Sequence, residues 1–492
     1  MTVSLTSFSF FIFLPAAALV SFLCPSKLRV YWLLAVSYVF YMSMSPVYAL
    51  VLLASTVSTF VCGLLVEKAG EKKGRAALIL TLCLVFNLGM LFWFKYAGFA
   101  LKTIAALTGS TGSALADRAA GILQPVGISF YTLQVIGYLI DCFRHDKPAE
   151  RNFARYALFV SFFPQVVSGP IERYGHMRLQ YEHLPGFSAR RVLEGLQIML
   201  WGYFLKMVLA DRMAIYVDRI YESPERYSGV LCVIAVLLYS LQIYCDFFGY
   251  TSIAVGTAKV MGVEIMENFD APYLSQSVSQ FWRKWHISLS SWLRDYVYIP
   301  LGGNRKGTLR KYLNILIVFA VSGLWHGAEW SFVIWGLIHG AYQVTGAVLK
   351  PARDRLAAAT GMKRDAFSHR VLRIAFGFCL YSFAWIFFRA KDTAQAIRMI
   401  GCLSLDGLWK LNDGTLYTLG LDRLNWQLMT LGIFILIGYD VMRSRGIRAG
   451  EMIRAQETWF KWAVWIIGLI LVLTCGIWGP GYDAASFIYS QF

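Results

Sequence analysis

Tyr312-Leu-Asn-Ile-Leu-Ile-Val-Phe-Ala-Val-Ser-Gly-Leu-Trp-His-Gly-Ala328 is an apolar, membrane-like stretch that carries one imidazole, His326. A second apolar run, Trp330-Ser-Phe-Val-Ile-Trp-Gly-Leu-Ile-His339, follows almost at once. Ionisable side chains are costly at bilayer depth, so an intramembrane histidine is a functional-site hypothesis by default. Histidine is also the side chain best suited to exchange protons near neutral pH.

The rest of the chain has the same solvent preference. Of 492 residues, 57% are hydrophobic and only 15% are charged, against roughly 25% charged in soluble domains. Mean hydropathy is +0.53. This describes a polytopic membrane protein, all-α, because helices satisfy their own backbone within lipid. A span needs about 20 mainly apolar residues. Candidate spans are 6–24, 30–45, 47–66, 76–94, 229–246, 312–325, 330–348, 371–388, 425–442 and 459–478. Shorter apolar stretches at 126–142, 156–171 and 193–210 contain Gly, Pro, Gln or Lys, which suggests broken, tilted or re-entrant segments. About a dozen helices are expected, 11–13 in all. Residues 1–400 form the expected membrane core, with a C-terminal helix pair over 401–492 packed on it. The uncharged stretch 1–26 has neither a basic start nor a good cleavage site and reads as a retained first helix.

The net charge of +17 fits loops rich in Lys and Arg and does not call for nucleic acid. Lys27 and Arg29 follow the first span, and Lys68, Lys72, Lys73 and Arg75 the third. The positive-inside rule makes both loops cytoplasmic and puts the N-terminus outside. The basic stretches 283–311 and 350–373 belong on the cytoplasmic side too. Nine cysteines lie scattered, mostly in apolar runs, and read as small hydrophobes rather than metal ligands or disulfide partners. No His-x-x-x-His, Cys-x-x-Cys or Walker-type loop occurs, so neither a metal nor a cofactor is expected.

A second stretch bears on chemistry: Gln280-Phe-Trp-Arg-Lys-Trp-His-Ile-Ser-Leu-Ser-Ser-Trp-Leu-Arg-Asp-Tyr-Val-Tyr-Ile-Pro-Leu-Gly-Gly303. On one helix, Trp282, Trp285, Leu289, Trp292, Tyr296 and Ile299 recur at spacings of three and four and make an aromatic stripe. Such a basic amphipathic helix can simply lie in the interface against anionic lipid. It also carries His286, forty residues before His326. Spacing alone leaves open whether the two meet, and leaves His326 the alternative of a hydrogen-bonded structural histidine. His339 reads as helix packing, whereas His145, His176, His183 and His369 fall in loops.

These residues together resemble the membrane-bound O-acyltransferase superfamily, and within it the branch holding the membrane subunit of bacterial alginate O-acetylation. Supporting segments are Val126-Gly-Ile-Ser-Phe-Tyr-Thr-Leu-Gln134, Phe162-Phe-Pro-Gln-Val-Val-Ser-Gly-Pro-Ile171, Tyr244-Cys-Asp-Phe-Phe-Gly-Tyr250, Trp385-Ile-Phe-Phe-Arg389 and the ending Phe487-Ile-Tyr-Ser-Gln-Phe492. The resemblance implies a helical ring around a central funnel or tunnel. It also implies two functional histidines. His326 matches the nearly universal one, and His286 matches an upstream position that other branches often fill with Asn.

On that footing His326 is the expected general base and His286 orients or polarises a thioester carbonyl. Trp285 and Trp325 adjoin them. Arg283, Lys284 and Arg294 would meet a cytosolic donor, acetyl-CoA, as substrate and not cofactor. Gln134, Gln165 and Ser168 would line the cavity. The expected partners are membrane lipid, a periplasmic O-acetyltransferase and the polysaccharide export machinery, at a bacterial inner membrane. Rival readings are O-acetylation of peptidoglycan or cellulose and D-alanyl transfer to teichoic acid. A transporter or channel is the rival from another class, weakened by the lack of visible repeat symmetry.

Overall fold

The computed structural model describes residues 3–70, 72–108 and 123–478. The tail motif at 487–492 lies outside the described residues. No strand occurs among the described residues. The helices run α1 (Phe10–Leu23), α2 (Ser26–Met44), α3 (Tyr48–Ala69), α4 (Lys73–Thr108), α5 (Ile128–Phe143), α6 (Phe153–Ser161), α7 (Tyr174–Glu182), α8 (Ala189–Glu222) and α9 (Val230–Val260). They continue with α10 (Val278–Lys284), α11 (Ile287–Leu293), α12 (Thr308–His326), α13 (Trp330–Val348), α14 (Lys350–Ala359), α15 (Phe367–Arg389), α16 (Thr393–Gly401), α17 (Arg423–Ser444), α18 (Ala449–Arg454) and α19 (Thr458–Cys475).

Among the described residues, seven helices are long and apolar enough to span a membrane: α3, α4, α8, α9, α15, α17 and α19. An eighth, α13, bends by 47° into α14. The chain is thus an all-helical, multi-pass membrane protein. Three other apolar runs, α1, α2 and α12, form helices that do not reach that length or hydropathy. The stretch 193–210, expected to be broken, tilted or re-entrant, stays helical within α8 through a π-helical passage at Phe204–Ala210. That passage carries Lys206, which is 2% exposed. Its ammonium meets Asp246 at 2.6 Å and Asp211 at 2.7 Å, so this buried cation is neutralised by neighbouring carboxylates.

Two compact units divide the chain, with boundaries inside α8 and α9. Among the described residues, one takes the chain up to Met199 with Tyr250–Met266, and the other takes Leu200–Gly249 and Glu267 through residue 478. In the first unit, the stretch 156–171 is broken as expected. Helix α6 ends at Ser161, and residues 162–173 run without regular helix. This backbone is buried and bonds to itself, Gln165 N and Val166 N to Phe162 O, and Gly169 N to Gln165 O at 2.9 Å. Irregular backbone at membrane depth is tolerated only when satisfied in this way. Gly127 starts α5 with φ +74, and a Cβ there would stand 2.0 Å from Val166 O, which leaves glycine alone able to fill the position.

In the second unit α12 and α13 form a hairpin that presses backbone on backbone. A Cβ on Gly323 would stand 2.2 Å from Phe332 O, and one on Gly336 would stand 2.1 Å from Phe319 O. Small residues of this kind allow membrane helices to approach closely. Gly323 is one turn before His326, so the glycine contact fixes where that imidazole projects. Gly336→Ala forces the hairpin apart. We expect a loss of about 1–3 kcal/mol by overpacking and a lowered unfolding midpoint in detergent, whereas Gly346→Ala, with nothing within 4 Å of its Cβ position, leaves the midpoint unchanged.

Candidate active site

The segment expected to be one amphipathic helix is two. Trp285 takes an extended conformation (φ −106, ψ 129) and His286 a left-handed one (φ 45, ψ 55), so the chain turns a corner between α10 and α11. A left-handed residue with a side chain is strained. The corner is held from outside: Asn268 accepts from Ile287 N through its carbonyl (3.0 Å) and from Ser288 N through Oδ1 (3.1 Å). These are the first amides of α11, which its own cap residue would ordinarily serve. The imidazole of His286 makes no capping bond. Asp270 N completes the tie by donating to Lys284 O at 3.0 Å.

The corner also breaks the aromatic stripe. Trp282, Trp285, Leu289 and Trp292 are buried in protein instead of lying against lipid. Trp285 stacks on Phe281 at 5.4 Å and leans on Trp385 at 5.1 Å. Trp282 Nε1 donates to His339 Nδ1 at 3.3 Å, which gives His339 its packing role between α10 and α13.

His286 and His326 meet. Their ring centroids lie 6.1 Å apart with the planes at 57°. Both are withdrawn from solvent, at 0% and 2% exposure. His326 is the last residue of α12, and the backbone extends at Gly327. Its ring stands edge-on to Trp335 (5.0 Å) and Phe388 (5.3 Å). His286 stands edge-on to Phe247 at 4.7 Å. Trp325 lies by both, 4.9 Å from His326 and 5.8 Å from His286. Two imidazoles this close can address one small group, one accepting a proton and the other donating a hydrogen bond.

A cavity of about 1510 Å³ has neither histidine in its lining but reaches residues near both in the chain. Ile287, the neighbour of His286, and Ser322, one turn before His326, both line it. Trp282, Phe319 and Phe376 make apolar wall, while Arg283, Arg294, Lys311, Arg353 and Arg373 supply positive charge. No Asp or Glu lines it. Such a cavity suits a polyanion with an apolar arm.

The other sequence candidates are distributed as follows. Arg283 and Arg294 are exposed and line the cavity, Arg294 also pairing with Asp295 at 2.8 Å. Lys284 is committed to Asp270 at 3.1 Å and does not line it. Trp285 is core behind the corner. Gln134, Gln165 and Ser168 are buried in the first unit, where Gln165 Nε2 donates to Phe159 O at 2.9 Å. Asn268 was not singled out from sequence, and the cations Lys311, Arg353 and Arg373 were read only as part of the basic stretches 283–311 and 350–373. Phe247, Trp385 and Phe388 lie in segments that carried the family resemblance, so a signal for them existed without a role. No cluster of three or more His, Cys, Asp or Glu able to hold a metal occurs among the described residues.

Comparison with known proteins fits this arrangement. The model of the membrane-bound O-acyltransferase family matches residues 144–390, which include both histidines. The chain is 37% identical over 441 residues to the probable alginate O-acetylase AlgI of Azotobacter vinelandii, covering 89% of this chain and 83% of that protein. The chain belongs to the membrane-bound O-acyltransferase family. It is also 33% identical over 405 residues to the peptidoglycan O-acetyltransferase of Helicobacter pylori, covering 77% of this chain and 74% of that one. The teichoic acid D-alanyltransferase of Streptococcus thermophilus is more distant, 27% identical over 44% of this chain and 56% of its own. The protein is therefore a membrane O-acyltransferase, and in it His286 and His326 share one buried place.

The left-handed corner makes a prediction that does not depend on catalysis. Asn adopts positive φ readily, and β-branched residues do not. His286→Asn should unfold within about 1 kcal/mol of wild type, and His286→Val about 1–3 kcal/mol lower, as read from thermal unfolding in detergent.

Proposed function

We propose that the protein is an O-acetyltransferase of a bacterial inner membrane, with its N-terminus outside. It takes acetyl from acetyl-CoA on the cytoplasmic side and passes it across for O-acetylation of an exported polysaccharide of the alginate type. The observation that carries this reading is the pair His286–His326, 6.1 Å apart, together with a cationic cavity free of carboxylates. The phosphates of CoA match Arg283, Lys311, Arg353 and Arg373. The pantetheine arm matches the wall of Trp282, Phe319 and Phe376, which leads toward Ile287 and Ser322.

The chemistry follows from the two imidazoles. His326 accepts the proton of the attacking hydroxyl as its oxygen bonds to the thioester carbon. His286 donates to the carbonyl oxygen as negative charge develops there. The C–S bond then breaks, and the thiolate takes the proton held by His326. The hydroxyl belongs to a periplasmic acetyltransferase that serves the polysaccharide export machinery. Alginate-type acetylation is favoured by the 37% identity to the Azotobacter protein over nine-tenths of the chain. Peptidoglycan is the second reading, supported by the Helicobacter relative.

The reading is tested with labelled acetyl-CoA and purified protein. His326→Ala should lower transfer by about 10²–10⁴-fold, and normal transfer by a folded His326→Ala would sink the assignment. Mass analysis of the exported glycan with and without the protein separates the two polymers. Replacing Arg283 and Arg353 together by Gln should raise KM for acetyl-CoA while leaving kcat nearly unchanged, the pattern of lost uniform binding. An unchanged KM would remove the donor from this cavity.

A further inference from the structure

Helix α17 stands far along the sequence from the histidine motifs, yet two of its side chains reach the supports of the His286 corner. Arg443 Nε meets Asp270 Oδ1 at 3.2 Å, and its guanidinium also binds Glu267. Asp270 Oδ2 meets Lys284 Nζ at 3.1 Å. The ion chain Glu267–Arg443–Asp270–Lys284 therefore brackets Asn268, whose two bonds replace the missing cap of α11. One turn earlier, Asp440 accepts from Tyr244 OH at 3.0 Å and 3.1 Å. The Tyr244 ring lies 5.9 Å from Trp285 and 5.5 Å from Phe269, and Phe269 is 5.0 Å from Trp285. On one side of the corner, Lys284 and Trp285 thus meet Asp270 and Tyr244, which α17 holds; on the other, Ile287 and Ser288 bond to Asn268, whose chain neighbours Glu267 and Asp270 are the residues Arg443 binds.

The local electrostatics agree. Asp440 is buried, and Tyr244 supplies its hydrogen bonds. Arg443 caps the aromatic layer, 6.0 Å above the Phe248 ring. The end of α17 thus presents a carboxylate and a guanidinium one turn apart, each with its partner on the other side of the corner's supports. A helix that served only to lengthen the membrane domain would need neither charge.

We propose that Asp440 and Arg443 are positioning residues that set the His286 corner, so that α17 is part of the acyl-transfer machinery and not an appendage to it. This rests on the reading of His286 as a group that addresses the acyl carbonyl. Displacing a reacting group by about 1 Å can cost on the order of 100-fold in rate. The donor cavity has no lining residue on α17, so the effect belongs in kcat and not in KM.

The test uses the full-length protein in lipid nanodiscs, with two readouts. Hydrogen exchange at Ile287 and Ser288 reports the Asn268 bonds whatever the chemistry is. Labelled acetyl-CoA transfer reports the consequence. Arg443→Gln should speed exchange at these two amides and lower kcat by about 10–100-fold with KM for acetyl-CoA unchanged. The conservative Arg443→Lys, which keeps the charge beside Asp270, should retain part of the exchange protection and of kcat. Where Arg443→Gln does not yield folded protein, Asp440→Asn, which keeps shape and a hydrogen bond to Tyr244, answers the same question with a smaller change of the same sign. Unchanged exchange at Ile287 and Ser288 in a folded variant overturns the proposal, even if transfer falls. Faster exchange with kcat intact would instead remove His286 from the chemistry, and with it the positioning role.

Discussion

A helix that breaks inside a membrane protein frees amides that lipid cannot satisfy. At His286 this constraint is met by one side chain and its carbonyl, both from Asn268. The arrangement leaves the imidazole out of the capping scheme. It also turns α11 away from α10, so that the ring faces the end of α12. Without this outside cap, the cheapest conformation for Gln280–Gly303 is the continuous amphipathic helix that its spacing suggests, with His286 on the edge of a stripe.

The second ring is placed by a different force. His326 ends α12, and α12 sits where Gly323 and Gly336 let two backbones touch. Around both rings the wall is aromatic: Phe247, Trp325, Trp335 and Phe388. Edge-on contacts between rings hold imidazoles in place. Burial in such a shell strengthens any hydrogen bond made to a reacting group. Charge is handled apart from the rings, as cations lining the cavity and as the ion chain Glu267–Arg443–Asp270–Lys284 on the corner's supports. Burial works against the charge of Asp270, yet Lys284 and Arg443 hold its carboxyl below the usual carboxylate range, so the chain stays intact at neutral pH and fails only in acid.

Several features were legible in the residues. Apolar runs marked nearly every long helix, because span length and hydropathy are local properties. The polar interruptions at 156–171 marked a real break, since Gly and Pro there oppose helix. At 193–210 the irregularity is not a break: a π-helical passage absorbs it, and Asp246 and Asp211 absorb the charge of Lys206. Sequence reasoning misjudged the Trp-rich segment. Periodicity sees that Trp282, Trp285 and Trp292 share a face, but it cannot see that His286 is left-handed. Arg283 and Arg294 were found as cations in the right segment, while Lys284, their neighbour, belongs to Asp270.

The sequence by itself determined the solvent, the helical class and the family, and it brought forward two histidines, because those depend on composition and on motifs within short windows. Only the tertiary structure decided that the histidines meet. Asn268 comes from the strap before α10 and Arg443 from a helix more than a hundred residues later, and the close contact of Gly323 with Phe332 depends on how a hairpin folds back. Each is a contact between segments whose separation carries no periodic signal, so its effect on His286 and His326 exists only once the chain has packed.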